Sequence, residues 1–128
     1  MLYYYIMVDP DKPDKCKLGI TQDPRNRMRA YKTAAPNAYF LQTYVIPDRI
    51  HERRILETIR KVARVQSEYV HCSPTFVKNV VESYFMDNNI QYWLLVDVVD
   101  GVGVFAVGIL VKFLLTNINN DAILMAWC

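Results

Sequence analysis

The sequence predicts a small α/β (α+β) domain: a three-stranded antiparallel sheet flanked by helices in the order ββαβαα, followed by an apolar C-terminal tail. Three observations lead there. Short runs of β-branched and aromatic residues alternate with turn clusters near the N-terminus. Helical patterns follow Asp or Ser caps, two of them with proline at the first helical position. A hydrophobic content of 52% over 128 residues is enough for one real core. Charged residues at 22%, with 4 Gly and 6 Pro, exclude disordered, collagen-like and low-complexity classes.

The elements follow in order. Leu2 to Val8 is short and tyrosine-rich and lacks the basic region and cleavage site of a signal peptide, so it reads as a strand. The Asp/Pro/Lys cluster at 9 to 15 is a loop into a second strand, Cys16 to Thr21. Asp23 caps a short basic helix with Pro24 at its start; Met28, Tyr31 and the aliphatic part of Lys32 share one side, and it ends near Ala34 to Pro36. Ala38 to Ile46 is a third strand, placing Phe40, Tyr44 and Ile46 on one face and Leu41 and Val45 on the other. Asp48 opens a helix with Ile50, Ile55, Ile59 and Val62 roughly on one face. Ser73 and Pro74 cap a last helix whose apolar face is Phe76, Val77, Val80, Val81, Tyr84 and Phe85, ending near Asp87 to Asn89. A domain over 1–89 and an apolar segment over 90–128 are therefore expected.

Charge narrows the function. The net +2 conceals a stretch, residues 15 to 64, with twelve Lys or Arg against four acids, a balance of +8 that suits a polyanion. Cys16, Cys72 and Cys128 are scattered and form no CxxC pair, which fits a reduced intracellular compartment, cytoplasm or nucleus. Two histidines, His51 and His71, without a second soft ligand at helical spacing argue against a structural zinc site.

Two short motifs carry more. The strand Tyr3 to Met7 places Tyr5 near its centre, and Lys17-Leu18-Gly19-Ile20-Thr21 follows in the second strand. Arg27 stands eight residues after Gly19 with Tyr31 one turn later, and Glu52 lies in His51-Glu52-Arg53-Arg54. Together these resemble the GIY-YIG nuclease superfamily, most closely its branch of phage and viral DNA-binding domains, over about residues 3 to 86. The resemblance implies a DNA endonuclease with Tyr5, Lys17, Arg27, Tyr31 and Glu52 in the catalytic site, Glu52 being the ligand of Mg²⁺ or Mn²⁺. Glu68-Tyr69-Val70 resembles the branch's acidic-aromatic pair. Lys17 replaces the tyrosine of the second motif, no glycine opens the first, and residues 60 to 68 hold no asparagine.

The chemistry of the residues can be argued without the family. Hydrolysing a phosphodiester needs a base to deprotonate water, a cation on the nonbridging oxygens and usually a metal. Tyr5 can relay or accept a proton, Arg27 can donate a bidentate pair, and Glu52 can ligate Mg²⁺. Arg25, Arg27, Arg29, Lys32 and Arg53 supply contacts to DNA phosphates. Plainer readings stand beside these: Tyr5 as strand packing, Arg27 and Arg29 as a solvated helix face, Glu52 as a surface partner for an arginine one turn away.

The tail has two readings. A window over residues 97–115 reaches the hydropathy of a membrane span, so residues 93–115 could meet a membrane, although the uninterrupted apolar run is shorter than the ~20 residues a bilayer needs. Asp100-Gly101 between two β-branched runs is equally a hairpin turn. Three functions follow: a metal-dependent DNA endonuclease, a noncatalytic DNA-binding domain on the same scaffold, and a membrane-anchored protein with a basic interaction face.

Overall fold

The first strand, β1 (Leu2–Val8), is buried along five successive residues, Tyr4 to Val8, so it must be covered on both faces. In the computed structural model, which describes residues 1–98 and 101–107, β1 lies at the middle of an antiparallel sheet. It pairs on one side with β2 (Cys16–Thr21) and on the other with β3 (Tyr39–Ile46). Between β2 and β3 runs α1 (Pro24–Tyr31), and after β3 come α2 (Ile50–Arg60), β4 (Arg64–Gln66), β5 (Tyr69–His71) and α3 (Pro74–Asp87). β6 (Tyr92–Val98) and β7 (Gly101–Val107) follow, and the strand order is β4-β5-β2-β1-β3-β6-β7.

Alternation along β1 divides the domain. Tyr4, Ile6 and Val8 face the main core, where Ile55 and Ile59 of α2 and Val77, Val81, Tyr84 and Phe85 of α3 cover the sheet. Edge-to-face rings link Tyr4 and Tyr44 to Phe85, and Tyr92 of β6 packs 4.7 Å from Phe85, between ring centres. Tyr5 and Met7 face the other way, into a smaller cluster with Met28 and Tyr31 of α1 and with Phe40. His51 and Tyr84 tie α2 to α3 through a buried 3.0 Å hydrogen bond, and burial lowers the His51 pKa.

Among the described residues, three helices on an antiparallel sheet agree with the α+β expectation; a three-stranded sheet does not. Residues 1–90 alone contribute five strands, and β6 and β7 continue the sheet. The two missed strands, β4 and β5, are three residues each, too short to display alternation. Their turn, Ser67-Glu68, holds Ser67 at φ 58°, a conformation that glycine or asparagine usually signals and serine does not.

A second correction concerns β3. Met7 pairs with Phe40 and Ile6 with Gln42, leaving Leu41 as the extra residue of a β-bulge. The bulge shifts alternation by one, so Phe40 faces Tyr5 on the α1 side instead of sharing a face with Tyr44. The basic helix ends at Tyr31, and the chain continues in turns through Ala38.

The tail is described in part. β6 pairs with β3 at Tyr44↔Leu94 and Val45↔Trp93, and with β7 from Tyr92↔Val107 to Val98↔Gly101. Among the described residues no helix is long and apolar enough to cross a membrane. Of the 93–115 stretch read as a span, residues 93–98 and 101–107 are strand; residues 99–100 and 108–115 lie outside the described residues.

Candidate functional site

The site is built around Tyr5, whose partner across β1 and β2 is Gly19. A Cβ at position 19 would stand 2.7 Å from Tyr5 Cζ and nearer still to its hydroxyl oxygen, so only glycine leaves room for the ring. Phe40 closes another side, 5.1 Å between ring centres. The Tyr5 hydroxyl then meets the Tyr31 hydroxyl at 2.7 Å.

Helix α1 delivers Tyr31 because its start is fixed at the end of β2. The Asp23 amide donates to Thr21 Oγ1 at 3.1 Å, the Asn26 amide donates to Asp23 Oδ1 at 3.1 Å, and Pro24 occupies the first helical position. Met28 and Tyr31 turn toward the sheet, while Arg25, Arg27, Arg29 and Lys32 remain exposed. Arg27 is close enough to Tyr5 for its charge to act on the phenol.

Lys17 joins the group from β2. Its ammonium lies 4.5 Å from the centre of the Tyr31 ring and 5.4 Å from that of Tyr69, and 3.3 Å from Glu68 Oε2. The β4–β5 hairpin makes this possible: Lys17 is in register with Tyr69, and the Leu18 amide donates to the Glu68 carbonyl at 3.0 Å. Partial burial pulls the Lys17 pKa down, but Tyr31 and Glu68 outweigh it and leave the pKa above its ordinary value. Lys17 is a fixed cation at neutral pH. Burial first, and then the hydrogen bond with Tyr31, push Tyr5 far above the ordinary phenol range, with the Arg27 charge acting in the opposite sense. Tyr5 therefore acts as a neutral hydroxyl.

Glu52 sits in the first turn of α2, the helix on the opposite face of the sheet. Burial and then Glu68 raise its pKa, while the Ile20 backbone amide and Arg49 lower it. The structure thus brings Tyr5, Lys17 and Tyr31 together, with Arg27 near enough for its charge to act on Tyr5, while Glu52 belongs to the helix on the other face and interacts with Glu68 through its charge. Arg53, also on α2, is 3.8 Å from Glu57 Oε1 and stands apart from the bases of α1. Two residues outside the expected catalytic set, Glu68 and Tyr69, form the wall beside Lys17. Their signal in the sequence was the acidic-aromatic pair; their partner was set by strand register.

Residues 2–85 match the family model of the T5orf172 domain. The chain belongs to the T5orf172 domain family. It is a phage-associated, GIY-YIG-like family, commonly a nuclease or DNA-binding module. No curated protein and no solved structure matches the chain. The T5orf172 match runs from β1 into α3 and includes every residue of the cluster, from Tyr5 to Tyr69.

Proposed function

We propose that this T5orf172 domain binds DNA across α1 and hydrolyses phosphodiester bonds beside the Tyr5–Tyr31 pair, as a GIY-YIG endonuclease using Mg²⁺ or Mn²⁺ at Glu52. The observation that supports this reading best is the 2.7 Å contact between two tyrosine hydroxyls, flanked by Lys17 and open to Arg27.

Each residue has a task in that reaction. Arg27 donates paired hydrogen bonds to nonbridging oxygens and aligns the phosphate. Lys17 adds a second positive charge where negative charge develops. Tyr5, kept protonated by burial and hydrogen-bonded to Tyr31, orients the attacking water as a neutral hydroxyl, and the proton that water loses on attack leaves to bulk solvent. Burial first, and then the charge of Glu68, raise the Glu52 pKa, a penalty on the carboxylate that a divalent cation would relieve; Glu52 would hold Mg²⁺, which takes one or two carboxylates and is completed by water and phosphate oxygens. Bound there, the metal would stabilise charge on the phosphate and on the leaving oxygen.

A binding-only domain is the second reading, favoured by the raised Tyr5 pKa and by Lys17 in the place of a tyrosine. A plasmid-nicking assay with Mg²⁺ or Mn²⁺ separates the two. Nicking by wild type that falls by about 10² or more in Glu52→Ala and in Arg27→Ala supports the nuclease. Retained DNA binding with no cleavage under either metal assigns the binding module.

A further inference from the structure

The loop from β1 to β2 carries Lys12 and Lys15, and these two side chains line one small cavity together with Lys17. Its volume is about 100 Å³, and Tyr31, Tyr69 and Asp9 are among its other walls. Lys17 already meets Glu68 at 3.3 Å, which leaves the charges of Lys12 and Lys15 on the same cavity to repel each other unless an anion stands between them. Asp9 is the one carboxylate on the wall among the described residues, and its Oδ1 already accepts the Asp11 amide at 3.0 Å. Lys15 is held 4.7 Å from the centre of the Tyr69 ring, and Lys17 is fixed by Tyr31, Tyr69 and Glu68. Among the described residues neither Lys12 nor Lys15 makes an ion pair.

We propose that this cavity is a phosphate pocket that takes a phosphomonoester, the terminal phosphate of a nucleic-acid strand. Size and charge point the same way. A terminal phosphate has three free oxygens to insert into a cavity of about 100 Å³, whereas an internal phosphodiester has two and carries a sugar on both sides. A monoester carries about −1.5 to −2 at neutral pH against −1 for a diester, and so gains more from three lysines. Tyr31 is shared with the Tyr5 pair, so an end held here lies next to the proposed reaction site. The nucleic-acid source of the phosphate rests on the DNA reading above; the affinity of the pocket for phosphate does not.

The test uses the full chain and one short duplex made with 5′-phosphate, 3′-phosphate or hydroxyl ends, read by fluorescence anisotropy. One phosphorylated form should bind about tenfold tighter than the hydroxyl form, a difference that inorganic phosphate removes and that Lys12→Gln with Lys15→Gln abolishes. Equal affinity for all three duplexes overturns the pocket while leaving DNA binding in place. A uniform loss in the double variant that keeps the preference for the phosphorylated end also overturns it. Where no duplex binds, thermal stabilisation by inorganic phosphate in wild type but not in the variant supports the pocket and rejects the DNA reading. Absence of that stabilisation rejects both.

Discussion

Gly19 and Tyr5 illustrate how tightly single positions are specified here. The ring occupies the volume of the missing side chain, with the hydroxyl nearest. Gly19→Ala should therefore lower stability by about 1–3 kcal/mol, the usual penalty for overpacking, measured by urea denaturation. Adding Tyr5→Phe should return part of that loss, and strictly additive effects would mean that the two residues do not compete for space. Glu52 makes a second prediction at this scale. Burial and Glu68 hold its folded pKa above the unfolded value, so between the two the folded chain binds more protons. Stability therefore falls as pH rises through that window. Glu52→Gln should raise the Tm at pH 7, with the gain shrinking toward zero below about pH 4, where the carboxyl is protonated in both states. An equal gain at both pH values would place the effect in packing rather than charge.

The hairpin of β4 and β5 shows what an element of six paired residues can do. It is the edge that sets Tyr69 beside Lys17 and Glu68 against the Lys17 ammonium. Its turn holds Ser67 at φ 58°, where a side chain is disfavoured by roughly 1 kcal/mol or more. Ser67→Gly should relieve that strain and stabilise the domain by about 0.5–1 kcal/mol in denaturant titration, despite the greater freedom of glycine in the unfolded chain. The site should be unmoved, because the register on either side of the turn is unchanged. A loss of stability would show that the Ser67 side chain contributes more than its backbone strain removes.

At the scale of the molecule the sheet separates two basic populations. Arg25, Arg27, Arg29 and Lys32 project from α1 on the Tyr5 face, whereas Arg53, Arg54 and Arg60 belong to α2 on the other. One duplex lying against α1 meets the first group and the lysines of the β1–β2 loop. If it neutralises about four to six phosphates, the logarithm of affinity should fall with log salt at a slope of roughly −4 to −5. A slope steeper by about 3 would mean that the arginines of α2 engage the same DNA, and an affinity independent of salt would remove the electrostatic account.

The helix starts were legible in the sequence because they are local: Asp23 caps α1 through the Asn26 amide, and Pro24 and Pro74 stand at the first helical positions, although the Ser73 side chain makes no capping hydrogen bond. So were the first three strands, which are long enough to carry a pattern, and the basic stretch that suits DNA. Tertiary structure decided the rest. The bulge at Leu41 turned Phe40 toward Tyr5, and no spacing in β3 reveals it, since a bulge is defined by what the neighbouring strand pairs with. Glu68 rather than Glu52 stands against Lys17 for a related reason: both carboxylates have the right chemistry, but only strand register selects which one arrives. In the sequence Lys12 and Lys15 belong only to the Asp/Pro/Lys loop at 9 to 15, and it is the fold that sets them on one cavity with Lys17. Local propensity acts over a few residues, whereas a site is a meeting of residues from β1, β2, α1 and the β4–β5 turn, and that meeting exists only once the sheet has formed.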